Sequence, residues 1–186
     1  DPREFAGLLR AIDGFTGTLQ VRAGLKLAAL LLARPGELRG MRWSEIDMEG
    51  ALWRIPAGRM KMRREHVVPL ARQALELLRD LREVFGAGEF VLPSVGTARK
   101  PLSENTFNAT LRRLGYTGDE MTAHGFRSTT STLLHELGHD SRVIEVQLAH
   151  LDKDKERGTY NRAKYLPQRR VMMQAWADYL DELRGG

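Results

Sequence analysis

The 186-residue sequence contains no cysteine. That excludes a disulfide framework, a thiolate zinc site and a cysteine nucleophile, and it suits a reducing compartment. No apolar run approaches the ~20 residues needed to cross a bilayer. The longest, Leu27 to Ala33, stops at Arg34. The first residues carry no signal-peptide pattern. No internal repeat, low-complexity tract or interdomain linker is visible, so residues 1–186 are expected to form a single domain. Histidines and carboxylates do not gather into a compact ligand cluster, which disfavours a metal-dependent nuclease. A chain of this length buries about 70% of its unfolded surface and needs no covalent staple.

What the sequence does hold is positive charge. Lys and Arg number 29 against 24 Asp and Glu, a net charge of +5. A basic balance favours a polyanionic partner such as nucleic acid, through phosphate contacts and counterion release.

Periodicity predicts a mainly helical α+β fold. Asp1-Pro2 starts a helix that Gly14 ends, with Phe5, Leu8, Leu9 and Ile12 on one face. Leu19 to Ala33 is apolar around most of its circumference near its end and reads as a central core helix. Arg34-Pro35-Gly36 breaks it, and Glu37 to Arg42 starts a short helix. Ala51 to Pro56 and His66 to Leu70 read as two strands of a small antiparallel sheet, joined by a basic loop, Gly58 to Arg64. Helices follow at Ala71 to Phe85, at Glu104 to Leu114 with Ser103 as N-cap, from Thr122 to Gly138, and at Arg142 to His150. A last helix, about 167–184, carries a stripe of Met172, Ala175, Trp176, Tyr179, Leu180 and Leu183.

The chemistry concentrates in Met121 to Tyr160, with Ala33 to Asp47 folded against it. His124 and Arg127 lie three apart, on one face of a helix. His150 closes the following helix, and Tyr160 comes ten residues later. Arg34 sits at a helix–helix junction, where a side chain can enter a cleft. Two arginines, two histidines and a tyrosine suit metal-free attack on a phosphodiester. Arginines hold phosphate oxygens, histidines move or donate protons, and the tyrosine hydroxyl is the nucleophile. Tyr165, Tyr116 and Tyr179 are the competing nucleophiles. His66, His135 and His139 read as structural or exposed. Arg39, Arg42, Arg59, Arg63 and Arg64 read as phosphate contacts or solvent-facing charges. The polar face of Asn105, Asn108, Arg112 and Arg113 reads equally as a DNA contact or a solvated helix face.

Five segments, ARPGELRGMRW (Ala33 to Trp43), RMKMRREHVVPL (Arg59 to Leu70), AHGFRST (Ala123 to Thr129), VQLAH (Val146 to His150) and TYNRA (Thr159 to Ala163), together resemble the catalytic domain of tyrosine recombinases, and most closely the integrases of temperate phages and genomic islands. The resemblance spans nearly the whole chain. It implies a small antiparallel sheet packed on a helical core, and a catalytic set of Arg34, Lys61, His124, Arg127, His150 and Tyr160. In that set Tyr160 is the nucleophile, and Lys61, in the hairpin, protonates the departing 5′ oxygen. It further implies double-stranded DNA at attachment core sites as partner, a tetrameric synapse, action in the cytoplasm on DNA, and neither metal nor cofactor. The last helix then either packs on its own domain or docks on a neighbouring protomer. The chain begins at Asp1 without an initiator methionine, and the resemblance implies a longer protein with DNA-gripping domains ahead of this one. A type IB topoisomerase-like relaxing enzyme and a non-catalytic DNA-binding or assembly module are the alternatives.

Overall fold

The computed structural model describes residues 1–150 and 164–186. Eight helices are found among them: α1 (Pro2–Asp13), α2 (Leu19–Leu31), α3 (Pro35–Arg39), α4 (Arg72–Phe85), α5 (Thr106–Arg113), α6 (Ala123–Glu136), α7 (Ser141–Gln147) and α8 (Leu166–Gly185). Strands β1 (Ile46–Asp47), β2 (Leu52–Ile55) and β3 (His66–Pro69) form one antiparallel sheet in the order β1-β2-β3. The expected mainly helical α+β architecture is therefore the observed one.

Helix α2 is the hub, packing against α1, α3, α4, α5, α6 and α8. Such a helix must be apolar nearly all round, and ten of its thirteen residues are buried. Close approach to α5 depends on Gly24, where a Cβ would fall 2.6 Å from the Phe107 ring. Helix α1 starts as the sequence predicts, with the Asp1 carboxylate accepting from the Arg3 amide at 2.7 Å.

Helix α8 lies on its own domain, against α1, α2, α4 and β3. Trp176 is fully buried, stacks on Phe5 (centroids 6.3 Å apart) and donates its indole N–H to the Ala29 carbonyl at 2.8 Å. The buried stripe is turned relative to the expected one. Met173 and Ala177 are buried beside Met172, Trp176 and Leu180, whereas Ala175 is exposed. The neighbours on several sides of α8 make its apolar face wider than one stripe.

Other departures are local. Residues 44–48 add a third short strand, β1, to the two expected, its Ile46 and Asp47 pairing with Trp53 and Leu52. Phe90 to Pro93 forms only isolated bridges, Arg42 with Phe90 and Pro93 with Pro101. Helix α5 starts at Thr106 because the Ser103 and Thr106 hydroxyls bond to each other at 2.8 Å. Ser103 therefore stands ahead of the helix rather than capping it. Among the described residues no helix is long and apolar enough to cross a membrane.

Candidate active site

Three helix ends meet where the sequence placed its chemistry. Helix α2 stops at Leu32, a fully buried residue in the left-handed region (φ 51°, ψ 19°). Arg34 follows in extended conformation (φ −68°, ψ 144°), as the residue before a proline must. Pro35 then opens α3. Buried Glu37 accepts from the Arg34 amide at 3.2 Å and from its Nη1 at 3.1 Å. One carboxylate thus holds both the backbone and the head of Arg34. The side chain of Arg34 remains a quarter exposed, so its fork keeps access to solvent.

Arg127, on the second turn of α6, is buried. Its Nη1 donates to the Leu32 carbonyl at 2.5 Å and its Nη2 to the Leu148 carbonyl. Both carbonyls lie at helix C-termini, where C=O groups lack intrahelical partners and the dipole favours a cation. Burial, followed by the nearby Arg34 charge, pulls Arg127 down to about 10, while Glu37 and Glu145 pull it up. It stays protonated at neutral pH. Two cations are therefore held close together with one of them largely dehydrated, an arrangement that a bound anion would relieve.

His150 is positioned by the way α7 ends. The amides of Ala149 and His150 return to the carbonyls of Val146 and Glu145, and Ala149 takes the left-handed conformation (φ 55°). This is the six-residue helix stop that normally places glycine at its left-handed position. The α6 terminus makes the same stop with Gly138 (φ 84°). At the site, Leu32 and Ala149 occupy left-handed positions without glycine's freedom, and Tyr165 (φ 55°) does so at the start of α8. Backbone strain of this kind costs on the order of 1–2 kcal/mol per residue and gathers at functional sites. The His150 Nδ1 lies 2.7 Å from Glu145 Oε2, which orients an otherwise exposed ring.

His124 is exposed on the first turn of α6. Thr122 N-caps that turn, its hydroxyl accepting from the Gly125 amide at 3.1 Å. Lys61 is exposed in the loop between β2 and β3. Tyr160 lies outside the described residues. Of the competing tyrosines, Tyr179 packs on Trp176. The Tyr116 phenol is pushed up by burial and by Glu120, the opposite of what a nucleophile needs.

Several arginines read as phosphate contacts or solvent-facing charges also make bonds within the domain. Arg59 makes a two-pronged pair with buried Glu45 (2.7 and 2.8 Å) and donates to the Glu37 carbonyl at 3.1 Å. It thereby fastens the hairpin loop to the segment that holds Arg34. Arg39 donates to the Leu102 carbonyl at 2.9 Å, and Arg42 pairs with Glu89 at 3.3 Å over the Phe90 ring. On α5, Arg112 donates to the carbonyls of Tyr116 and Met121, and Asn108 Oδ1 accepts from the Ala123 amide at 2.8 Å. That face of α5 anchors the start of α6. Arg63, Arg64, Arg99, Lys100 and Arg113 are exposed.

The buried polar residues beside the site were not singled out by sequence. His66, the first residue of β3, is 4% exposed, and its Nε2 lies 3.1 Å from the Gln147 carbonyl. Arg169, 1% exposed on α8, donates its Nε to Gln147 Oε1 at 2.9 Å and its Nη2 to the Val67 carbonyl. The available signal was a histidine at the first position of a strand buried at every residue.

Comparison with known proteins agrees with this layout. The arrangement is the fold of tyrosine-recombinase catalytic domains. It superposes on the integrase of mycobacterium phage Brujita with a TM-score of 0.68, at 17% identity, over 93% of this chain and 60% of that one. A lambda integrase dimer bound to a core site matches with a TM-score of 0.61, at 22% identity, over 84% of this chain and 59% of the other. The chain belongs to the phage integrase family, whose model matches residues 1–166. It is 40% identical to the prophage integrase IntA of Escherichia coli (strain K12) over 185 residues, covering 100% of the chain and 45% of that protein. It is 41% identical to the integrase of Enterobacteria phage P4, covering 95% of the chain and 44% of that protein. The chain thus spans less than half the length of these curated relatives.

Proposed function

We propose that this domain carries out site-specific DNA recombination by metal-free transesterification. The observation that supports this most directly is the convergence of Arg34 and a dehydrated Arg127, whose charges sense each other, on the junction of α2, α3, α6 and α7. Two guanidinium groups converging on one junction suit a single phosphate. In this reading Tyr160 attacks a DNA phosphorus in line. A tyrosyl–phosphorus bond forms, the bond to the 5′ oxygen breaks, and a 3′-phosphotyrosyl intermediate results. Arg34 and Arg127 stabilise the charge that gathers on the nonbridging oxygens, and His150 adds a hydrogen bond. His124 accepts the phenol proton, since a group with a pKa near 10 needs a base at neutral pH. Lys61 gives its proton to the departing 5′ oxygen. A 5′-hydroxyl from a second duplex then reverses the chemistry and exchanges the strand, so neither ATP nor a cofactor is consumed.

Double-stranded DNA at an attachment core site is the substrate of this reading, in keeping with the lambda integrase dimer solved on a core site. Integration and excision of a prophage or genomic island is the process it serves. A homo-oligomer on DNA, tetrameric in the synapse, belongs to the same proposal.

The test is covalent trapping on a nicked suicide duplex of the attachment core, in chelator, beside a Tyr160→Phe variant. The expected result is a denaturation-resistant protein–DNA adduct that the variant fails to form. An adduct that persists in the variant moves the nucleophile to Tyr165, and loss of the adduct in chelator overturns the metal-free chemistry.

A further inference from the structure

Helix α7 ends in two successive carbonyls, and the site uses both. The Leu148 carbonyl accepts from Arg127, and the carbonyl one peptide earlier, that of Gln147, accepts from His66 Nε2 at 3.1 Å. A carbonyl can only accept, so the imidazole carries its proton on Nε2. His66 is also the first paired residue of β3, opposite Ile55, directly after the loop that holds Lys61. It therefore sits where the hairpin loop rejoins the sheet, one peptide away from a bond made by the phosphate-binding Arg127.

A second strap runs parallel to the first. Arg169 on α8 bonds the Val67 carbonyl and the Gln147 side chain. Strand β3, the end of α7 and the start of α8 are thus joined by adjacent residues of each element. Within this ring His66 is the member nearest in sequence to the hairpin loop. Its Nδ1 is buried with no hydrogen-bond partner among the described residues. Burial and the charges of Arg169, Arg127 and Arg34 hold the ring neutral, the form that can donate through Nε2 while leaving the other nitrogen bare.

We propose that His66 is a positioning residue: its bond to the Gln147 carbonyl locks the hairpin to the end of α7, and so holds Lys61 in register with the phosphate bound by Arg34 and Arg127. The inference rests on the recombinase reading above. It assigns a role to a residue that touches neither phosphate nor leaving group. A polar tether does here what apolar packing cannot, because a hydrogen bond fixes direction and register while burial of area does not.

The test separates general-acid positioning from simple loss of structure. Single-turnover cleavage is measured with two suicide duplexes, one with an ordinary phosphodiester and one with sulfur replacing the bridging 5′ oxygen. A thiolate leaves without being protonated, because a thiol's pKa is near 8.5. On the ordinary duplex, His66→Leu is expected to slow cleavage about 10- to 100-fold, the size of effect a misplaced catalytic group produces. On the sulfur duplex it should return to within about threefold of the unsubstituted chain, as Lys61→Ala should. His66→Gln, which can set an amide N–H near the same carbonyl, should recover most of the ordinary rate. Equal loss on both duplexes for His66→Leu, with Lys61→Ala rescued by sulfur, overturns the positioning role and leaves the recombinase reading intact. Failure of the unsubstituted chain to form an adduct on either duplex overturns both.

Discussion

The face of α2 that meets α8 and the junction where Arg127 bridges the ends of α2 and α7 both bury their side chains, yet they are built on opposite principles. At the first, Trp176, Met172, Met173 and Leu180 are buried against Phe5 and α2, and the Trp176 indole makes a directed bond to α2. At the second, four polar side chains, Arg127, His66, Gln147 and Arg169, are between 1% and 6% exposed and are held by bonds to backbone and to one another. Area burial is non-directional and tolerates small shifts. A buried guanidinium or imidazole is tolerated only with its partners in place, so the second region has little freedom to repack. The comparison teaches that this domain separates stability from precision: the apolar face of α8 around Trp176 supplies the first, and the helix-end junction, to which α8 adds only Arg169, the second.

Substitutions can break that separation or sharpen it. The largest effect is expected at Arg127, which serves both purposes. Arg127→Ala should lower the cleavage rate at least about 10²–10³-fold through loss of a transition-state donor. It should also cost about 3 kcal/mol in urea denaturation, because two buried carbonyls lose their partner. Arg34→Lys keeps charge, loses the fork, and should show the same rate defect with little change in the urea midpoint.

Trp176→Ala tests the other region. The expected loss is about 3–5 kcal/mol of stability, with the cleavage rate per folded molecule unchanged at low temperature. A rate defect there that survives correction for the folded fraction would show that the two regions are coupled.

Acid should weaken the junction first; on α8 the Asp178 carboxyl, held below its usual range by hydrogen bonds from Gln73 and Gln174, gives way only at lower pH. His66 is depressed from 6.5 to about 3, first by burial and then by Arg169, while the Gln147 carbonyl opposes the shift. Below pH 6.5 the unfolded chain binds a proton that the folded one refuses. Stability is therefore full above pH 6.5 and is lost progressively as the pH falls toward 3. Between pH 7 and 5 the contribution is on the order of 2 kcal/mol. The urea midpoint of His66→Gln, followed over the same range, should fall less than that of the unsubstituted chain.

The smallest effect is expected at Ala149. Ala149→Gly relieves the left-handed strain and should stabilise the chain by about 1 kcal/mol. Slower cleavage in this more stable variant would show that the strain helps to present His150.

Much of this was legible in the sequence because the signals are local. Asp1-Pro2, the apolar Leu19 to Ala33 and Thr122 are patterns within one turn or one helix, and the structure places α1, α2 and α6 on them. The H-x-x-R spacing put His124 and Arg127 on one helix face, and the Arg34-Pro35 break located the junction. The residue types on which the proposed chemistry rests were therefore visible before any fold.

What only the tertiary structure decided are bonds between distant residues. His66 and Gln147 are 81 positions apart, and Arg169 and Val67 are 102 apart. No periodicity links such pairs, so a histidine in a hairpin read as structural or exposed and an arginine in the last helix drew no attention. For the same reason Arg59 and Arg39 read as phosphate contacts or solvent-facing charges, and Arg112 equally as a DNA contact or a solvated face, whereas the structure gives them the partners Glu45 and the carbonyls of Glu37, Leu102, Tyr116 and Met121. Sequence by itself determines which groups are present and how each helix is phased. Which of those groups lose their water, and what replaces it, depends on elements brought together from opposite ends of the chain.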